Sequence, residues 1–556
     1  MGNTIPDKVR RRLRREIDAF ADGSGNLTYA DACDRNAVEI PDLTAVVDRQ
    51  ERLDWGTVKL RSDRLALGLL ELGIMRPDVV MIHLPNGIEQ FLIRLACEKA
   101  GIRVVLTSTW FRETELVSII DRTRPQAAFI DAGFAAAGAY DPLRNLIADR
   151  DEPHRGVGMR FVTVGNAPKM PWADTWEGLC GNCPAGPADG LLGRTRFRFD
   201  ERFYLATTSG STSAPKITDV IFGNRIWLSL MHAAGTGLDV GGTIAALPPT
   251  TSGTSDSLVH HAAPYLGAKI VLENRFDAVA SADFLVAEEA DVATVVPTML
   301  ARMVATGAID RLQAASLACF AVYASTISYE LGTAVEDRGG CAIARCYGTM
   351  DYGGISMSTI HDTRDQRIKS VGKPFADNDV LIVDEHGAPV PPGTEGEVTI
   401  RPGRYSMGGY YRDPERTAEA WSDLYYPLGD LGVLDSDGYL TLVGRAKELI
   451  IRGGQNVVPA EIEELVTAHP AVVDVAVIGL PDAEMGERIC ACVIVNGGED
   501  LTLDDLRSHF AGLGVARFKC PEWIALFEEF PMTMSGIKVD KRRLADEALV
   551  KLSAGE

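Results

Sequence analysis

Short apolar runs alternate with amphipathic segments through the first part of the chain. Residues 79–84 and 104–106 are almost entirely apolar and predict buried strands, whereas residues 90–100 carry apolar side chains at helical spacing and predict a helix. Buried strands that alternate with helices are typical of a parallel sheet covered on both faces. Further apolar runs of the same kind predict more such strands: residues 243–247, 269–272 and 292–296.

The pattern changes in the second half of the chain. Residues 371–400 contain short apolar runs separated by turn signals rich in Asp, Gly and Pro, which indicate a small β-rich unit. Beyond Gly444 the sequence predicts a helix after Pro459 and strands at residues 473–479 and 490–495. This C-terminal part therefore has an α+β character of its own.

These patterns predict an α/β protein of more than one domain, as a chain of 556 residues requires. We expect a large N-terminal domain, residues 1–445, made of α/β sheets with a small β-rich subdomain. A small, mobile α+β domain is expected to follow at residues 446–556.

Composition narrows the possible partners. The formal net charge of -21 argues against a nucleic-acid partner, because binding to a phosphate backbone needs a basic surface. The sequence shows neither a signal peptide nor an apolar run long enough to span a membrane, so we expect a cytoplasmic protein. Its ten cysteines then predict free thiols. The close pair Cys180 and Cys183 lacks a second pair at zinc-site spacing and is not interpreted as a metal site.

A segment rich in hydroxyl groups carries the first chemical signal. Residues 207–216 read Thr-Thr-Ser-Gly-Ser-Thr-Ser-Ala-Pro-Lys. Hydroxyl donors, accessible backbone amides and a terminal ammonium suit an anion with several oxygens. The segment is not a P-loop, since Pro215 stands where the second glycine of that motif belongs. A flexible Ser/Thr linker is the alternative, and the embedded Pro-Lys argues against it.

This segment resembles the phosphate loop of the acyl-adenylate-forming (AMP-binding) superfamily, which includes acyl-CoA synthetases, aryl-acid ligases and adenylation domains. Ser213 replaces a glycine of the usual loop. Further resembling segments follow in the family's order: Tyr347-Gly348-Thr349-Met350-Asp351, Leu428-Gly429-Asp430-Leu431, Gly444-Arg445-Ala446-Lys447-Glu448, Arg452-Gly453-Gly454-Gln455-Asn456, Pro459-Ala460-Glu461-Ile462-Glu463 and Pro531-Met532-Thr533-Met534-Ser535-Gly536-Ile537-Lys538.

The resemblance implies roles for individual residues. Lys538 would offset negative charge as a carboxylate attacks the α-phosphorus of ATP, and Asp351 would hold Mg²⁺. Asp430 would bind the ribose, Arg445 would reach the same ribose or a phosphate, and Tyr347 would stack on adenine. The full set of implied catalytic and nucleotide-binding residues is Lys538, Asp351, Thr208, Lys216, Ser209, Gly210, Ser211, Thr212, Ala324, Ser325, Thr326, Tyr347, Gly348, Thr349, Asp430 and Arg445.

Some positions depart from the family pattern. Met350 replaces a threonine that contacts phosphate, and Asp351 is one methylene shorter than the usual glutamate. Ile537 separates Gly536 from the lysine, which implies either a bulged loop or a shifted register.

The resemblance also implies a second half-reaction with a thiol. Lys447 would be the hinge of the small domain, and Gly453 and Gly454 would line a tunnel for pantetheine. A Gly-Gly turn is equally a common hairpin signal. Because the chain leaves no room for a carrier domain after the lysine loop, we expect the thiol to come in trans, from CoA or from a separate acyl carrier protein.

The acid pocket is expected after residue 247, at Thr251, Ser252 and Asp256. The sequence lacks the His-Asn pair of ligases that recognise an ortho-hydroxyl, which argues against a salicylate-type acid. Asp256 could pair with a substrate ammonium, but helix capping is the favoured interpretation. His260 and His261 show no partner in the sequence and are assigned no chemistry.

The sequence thus predicts an ATP-dependent acid–thiol ligase that releases AMP and pyrophosphate and uses a small carboxylic acid. One alternative is an enzyme that stops at the adenylate or passes it to an amine or another nucleophile. The other is a nucleotide-binding homologue without catalysis, against which the retained Lys216, Asp430, Arg445 and Lys538 argue.

Overall fold

A computed structural model gives the fold of the chain. It describes residues 5–141, 159–166, 168–181, 189–208, 215–350, 352–401, 408–420, 425–445, 448–452, 455–482, 485–496, 501–513, 515–533 and 538–554. Several of the residues singled out above lie outside these ranges: Ser209, Gly210, Ser211, Thr212, Ser213, Asp351, Lys447, Gly453, Gly454 and Ile537.

The largest sheet has nine strands within the described ranges, and its central strands are parallel. These central strands are mostly buried and rich in Val, Ile and Ala, as a sheet covered on both faces requires. The strands run across the sheet in this order: Lys373–Pro374, Gly353–Met357, Ala342–Thr349, Cys319–Val322, Val292–Val295, Thr243–Ala246, Lys269–Leu272, Thr44–Val47 and Arg52–Asp54.

A second sheet, with seven described strands, is parallel except for its last pair. That antiparallel pair borders the hydroxyl-rich loop. The strands run in this order: Asp174–Thr175, Arg160–Val164, Ala127–Asp131, Val79–His83, Arg103–Leu106, Arg202–Thr208 and Lys216–Ile221.

Helices cover both large sheets. They begin with Asp7–Ala21, whose Arg10 and Arg14 contact Val240 and Asp239. The α-helices longer than a single turn are Asp7–Ala21, Tyr29–Glu39, Trp55–Glu71, Ile88–Ala100, Glu113–Thr123, Ala132–Ala136, Trp176–Gly181, Asp189–Thr195, Phe222–Thr236, Ala278–Ala287, Pro297–Ala305, Tyr329–Gly339, Arg364–Lys369 and Pro414–Ala420. Shorter or irregular turns are Gly253–Asp256, Ser257–Ala262 (π), Ala263–Leu266 and Ala308–Ala314 (3₁₀).

An antiparallel sheet with four described strands forms the β-rich unit that the sequence predicts after residue 371. Its strands are Asp379–Val383, Glu395–Arg401, Tyr426–Leu434 and Leu440–Arg445. The last two place Asp430 directly opposite Arg445.

The C-terminal part has a sheet and a core of its own. Its five described strands are Gln455–Val457, Ile450–Arg452, Gly486–Val495, Val472–Asp482 and Trp523–Leu526. The helical segments there are Pro459–Thr467, Leu503–Gly512, Arg517–Lys519 (3₁₀) and Lys541–Ala554. The fold class is therefore confirmed. The proposed division at residues 445/446 falls between the last two sheets and stays a prediction.

The small C-terminal unit, from Ile450 onward, is called the lid below. Its Val472–Asp482 strand packs against the Pro297–Ala305 helix of the large unit. Burial raises the pKa of Asp474 in that strand to about 6, and Arg302 of the helix acts in the opposite direction. One edge of the lid therefore contacts the large unit. No described helix is long and apolar enough to cross a membrane.

Candidate active site

The segments assigned to nucleotide and acid follow the carboxyl ends of parallel strands. Residues 247–256 follow Thr243–Ala246, residues 323–326 follow Cys319–Val322, and Met350 follows Ala342–Thr349. The carboxyl edge of an open α/β sheet is where ligands bind. The topology therefore gathers these segments at one edge.

Asp430 lies at the centre of the predicted ribose site. Its Oδ1 lies 3.1 Å from Arg445 Nε, and its Oδ2 accepts a 2.6 Å hydrogen bond from the Tyr347 hydroxyl. Burial and the Asp430 carboxylate raise the pKa of Tyr347 well above its usual value, so the phenol remains a donor. Cross-strand register brings Asp430 and Arg445 together, and Tyr347 reaches them from the large sheet.

Lys538 of the lid lies beside this group. Burial, and after it the Arg445 guanidinium, lowers the pKa of Lys538 to about 8, while Asp430 and Glu448 act in the opposite direction. A backbone hydrogen bond from Thr533 N to Lys538 O, 2.6 Å long, closes the base of the lysine loop. Of the residues predicted from sequence, the structure thus brings together Tyr347, Asp430, Arg445 and Lys538.

The hydroxyl-rich loop connects two paired strands. Thr208 and Lys216 are register partners at its ends, and the residues assigned to phosphate between them lie outside the described ranges, as does the Thr208 side chain. Lys216 Nζ donates to the Tyr410 hydroxyl at 2.9 Å and lies 5.0 Å from the centre of that ring. The cation is therefore held at the exit of the loop.

The predicted adenine wall has an unusual backbone. Ala324 adopts φ +76°, a left-handed conformation that costs a non-glycine residue about 1–2 kcal/mol. Its neighbours Ser325 and Thr326 continue the turn, in which Ser325 N donates to Tyr323 O at 3.0 Å. Strain of this kind is concentrated at functional sites.

Gly348 and Thr349 serve the local structure beside Tyr347. A Cβ on Gly348 would lie 2.4 Å from Gly353 O, so only glycine fits there. Thr349 Oγ1 accepts a hydrogen bond from Tyr352 N at 3.1 Å. Both residues therefore shape the strand end from which Met350 and Asp351 follow.

Two interpretations of Asp256 are corrected. Its side chain does not cap a helix, and it is not a free acceptor for a substrate ammonium, because protein groups already occupy it. Arg94 Nη1 pairs with Oδ1 at 2.6 Å, and the Tyr204 hydroxyl donates to Oδ2 at 3.0 Å. Arg225 Nη2 and His261 Nε2 lie 3.7 Å and 3.1 Å from Oδ2.

The pKa shifts of Asp256 and His261 agree with this set of ion pairs and hydrogen bonds. Burial works to raise the pKa of Asp256, but Arg94, followed by His261 and Arg225, outweighs it and holds that pKa well below the usual range. Burial lowers the pKa of His261, so the ring is neutral at pH 7. The expectation that His261 has no carboxylate partner is also wrong.

Thr251 and Ser252 lie at the start of the same segment. Thr251 is buried, and Ser252 Oγ donates to Pro249 O at 2.9 Å. Arg225, which the sequence analysis did not single out, approaches this segment from the Phe222–Thr236 helix. A Cβ on Gly253 would lie 3.3 Å from Arg225 Nη2 and 3.0 Å from Met350 Sδ. Arg225 thus adjoins the predicted acid pocket.

A protein-only metal site is not found among the described residues, where no group of three His, Cys, Asp or Glu side chains could hold an ion. Asp351, the proposed magnesium ligand, lies outside them. A cleft with few carboxylates fits a magnesium ion carried by nucleotide phosphates, since Mg²⁺ is commonly bound by one or two carboxylates plus phosphate oxygens.

The structure groups Tyr347, Asp430, Arg445 and Lys538, as the sequence predicts for a nucleotide-using, acid-activating enzyme. The sequence model of the AMP-binding enzyme family matches residues 33–411, and that of the AMP-binding enzyme C-terminal domain matches residues 461–536. The first match alone exceeds half of the chain, and the protein therefore belongs to the AMP-binding enzyme family.

Individual relatives agree with this assignment. Pyochelin synthase PchD of Pseudomonas aeruginosa (strain UCBPP-PA14) is 29% identical, over 99% of this chain and 97% of the relative. Salicylyl-CoA synthase / salicylate adenylyltransferase of a Streptomyces species is 30% identical over 91% of each chain. The crystal structure of the anthranilate CoA ligase AuaEII with anthranoyl-AMP has a TM-score of 0.81 at 20% identity and covers 96% of this chain and 98% of its own. The predicted family and enzyme class, an ATP-using acid–thiol ligase, are confirmed.

The Asp256 cluster predicts a large and specific loss of stability. Asp256→Asn removes the only carboxylate that pairs with Arg94 or Arg225 in the described chain, and we expect the free energy of unfolding to fall by about 3–5 kcal/mol. Denaturant unfolding followed by fluorescence measures it.

A matched control is Asp283→Asn, which breaks a solvent-exposed pair with Arg311. That change is expected to alter the free energy of unfolding by less than about 0.5–1 kcal/mol. Equal losses in the two variants would contradict the structural importance of the buried cluster.

Proposed function

We propose that the protein forms an acyl-adenylate from ATP and a small carboxylic acid with Mg²⁺ on the nucleotide, and then transfers the acyl group to the thiol of CoA or of a carrier-protein phosphopantetheine. The single observation that carries this proposal is Lys538 of the lid beside Asp430 and Arg445. In this lid orientation, an ammonium faces the ribose-binding pair.

The first step joins a carboxylate oxygen to the α-phosphorus and breaks the bond to pyrophosphate. Two anions approach each other, so fixed positive charge is needed where negative charge grows. Asp430 would accept hydrogen bonds from the ribose hydroxyls, which fixes the nucleotide relative to Lys538. Lys216, held by Tyr410 at the loop exit, would face the phosphates.

The second step joins the thiol sulfur to the acyl carbon and breaks the bond to AMP, while the thiol proton leaves to solvent. It would use a different lid orientation, with Lys447 as the hinge and Gly453 and Gly454 beside the pantetheine. The relative named as a salicylyl-CoA synthase supports CoA as an acceptor.

The overall test is acid-dependent exchange of labelled pyrophosphate into ATP, followed by addition of CoA or a carrier protein. Exchange and a thioester are the expected results. Exchange without a thioester under either condition would point to the alternative in which the adenylate goes to another nucleophile. Nucleotide binding with no exchange for any acid would point to a non-catalytic homologue.

Lys538→Ala is expected to separate the two steps. Adenylation should slow by about 10²–10³-fold, since one charge that stabilises the transition state is removed. Thioester formation from supplied acyl-adenylate should change little. Pyrophosphate exchange measures the first step. Formation of the thioester, with release of AMP from the supplied acyl-adenylate, measures the second.

Arg543→Ala is the control for that variant, because it removes an exposed cation from the helix that follows the lysine loop. It should leave both rates unchanged. A parallel loss of both steps in Lys538→Ala would contradict the assignment of Lys538 to adenylation alone.

The lowered pKa of Lys538 predicts a pH limit. The ammonium is lost as pH rises through about 8, so kcat/KM for exchange should fall above that pH. Bound triphosphate favours the charged form, so kcat should keep its value to higher pH. The Lys538→Arg variant stays positively charged at alkaline pH. Its kcat/KM, although lower than that of the unchanged protein, should therefore no longer fall above a pH of about 8. An unchanged limb in that variant would show that another group titrates.

A further inference from the structure

The Asp256 cluster holds more positive than negative charge. Arg94 and Arg225 share the single carboxylate of Asp256, and His261 is neutral. Both arginines are almost fully buried, with 1% and 4% of their surface exposed. Asp256 is the only ion-pair partner of Arg225 within the described ranges, at 3.7 Å, whereas Arg94 holds the same carboxylate at 2.6 Å.

Two nitrogens of the Arg225 guanidinium lack a hydrogen-bond acceptor among the described residues. They are Nε and Nη2, and both are buried. A buried guanidinium left this way is costly, because desolvation is not offset by good pairing. Because Arg94 lies closer to the Asp256 carboxylate than Arg225 does, the unbalanced positive charge of the cluster is assigned to Arg225.

Two more polar groups beside Arg225 are incompletely satisfied. His232 lies two turns further along the same helix and contacts Ser257 Oγ through Nδ1 at 2.9 Å, while its Nε2 has no partner in the described chain. Burial, followed by Arg225, lowers the pKa of His232 to about 3, so the ring is neutral. The Tyr323 hydroxyl has the thiol of Cys346 as its polar neighbour, which is a weak partner.

These groups lie where an acid would be bound. Tyr323 directly precedes the Ala324 wall, and Arg225 Nη2 lies near Gly253, where even a Cβ would come within 3.3 Å of it. Met350 Sδ lies near the same point, 3.0 Å from that Cβ position. The cluster thus adjoins the predicted adenine wall through Tyr323 and the predicted acid pocket through Gly253.

We propose that Arg225, assisted by His232 and Tyr323, binds a second anionic oxygen group on the acid substrate, so that this enzyme activates a small acid with two anionic ends. This inference rests on the proposed function and names its substrate class. An anionic oxygen group would accept hydrogen bonds from Nε and Nη2 of Arg225 and balance the excess charge. An ammonium-bearing acid would instead meet uncompensated positive charge.

The test compares matched acids in the pyrophosphate exchange assay: succinate against butyrate, and phthalate against benzoate. Each pair differs by one carboxylate on the same scaffold. We expect kcat/KM to favour the diacid by about 100-fold or more in at least one pair, since a buried, incompletely paired cation discriminates strongly against an uncharged group. A preference for the monoacid in both pairs would overturn the proposal.

Salicylate against benzoate distinguishes charge from simple hydrogen bonding. If the neutral hydroxyl gave a gain equal to that from the second carboxylate, the requirement for an anion would be wrong. A gain confined to the diacid supports the assignment to Arg225.

Variants locate the effect. Arg225→Met should bring the diacid-to-monoacid ratio of kcat/KM close to one, and Arg225→Lys should restore part of the preference because it keeps the charge. Arg345→Met is the control: Arg345 is another buried arginine, whose Nη1 donates to Ile368 O at 2.9 Å. It can lower the folded fraction but should leave the ratio unchanged. An unchanged ratio in Arg225→Met would overturn the proposal.

The outcome also separates this inference from the proposed function. Exchange that responds to acids but shows no preference for a second anion contradicts the inference alone. If no acid in the panel supports exchange, the proposed function fails for these acids, and calorimetric titration of the same pairs decides the inference. Tighter binding of the diacid, lost in Arg225→Met, supports it, and equal binding within each pair overturns it.

Discussion

The pairing of Asp430 with Arg445 underlies the predicted nucleotide end of the site. The two residues face each other across the last two strands of the large unit, so backbone register holds them in place before any ligand binds. Tyr347 joins them from a different sheet, and Lys538 joins them from the lid. The large sheet, the four-stranded sheet and the lid therefore each contribute one group near the Asp430 carboxylate. The position of the lid thus affects the charge around the predicted nucleotide site.

Positive charge at this site is local, because the chain as a whole carries a formal net charge of -21. Such a background repels anionic substrates at long range but is screened beyond about 8–10 Å at ordinary ionic strength. Buried cations are screened much less. Two pairs of weakly screened cations lie in the proposed site. Lys538 lies beside Arg445 at the proposed nucleotide end, and Arg225 and Arg94 lie together at the proposed acid end. An anion that reaches the cleft relieves repulsion between groups of the protein itself.

The sequence predicted what depends on local patterns. Parallel strands such as Lys269–Leu272 were identified with the correct ends, because a fully buried strand is a continuous apolar run. Asp430, Arg445 and Lys538 were identified by motifs, in which neighbouring residues preserve the signal. Gly348, in contrast, was explained only by the structure, which shows the Gly353 carbonyl that excludes a Cβ.

The environment of Asp256 could not be predicted in this way. Its partners Arg94 and Tyr204 are remote in sequence, and a Thr-Ser-Asp-Ser run is a common local capping signal. Arg225 belongs to no motif and lies inside a mostly apolar helix. The one sequence feature that marks Arg225 is a single charged residue within a mostly apolar helix, because a buried charge must be paired or functional. The sequence alone does not show that the Arg225 position is buried, because that burial depends on how the helix packs in the fold.

The lid combines a firm core with a weakly attached surface. Ile462, Val466 and Leu506 are fully buried within the lid, so the lid has a hydrophobic core of its own. Its contacts with the large unit include charged side chains of the same sign: burial raises the pKa of Glu464, and Glu330 of the large unit adds to that shift. Contacts of this kind resemble transient interfaces rather than a continuous core. Weak attachment of the lid is the physical condition that the proposed function requires, because one small domain would then serve two successive half-reactions.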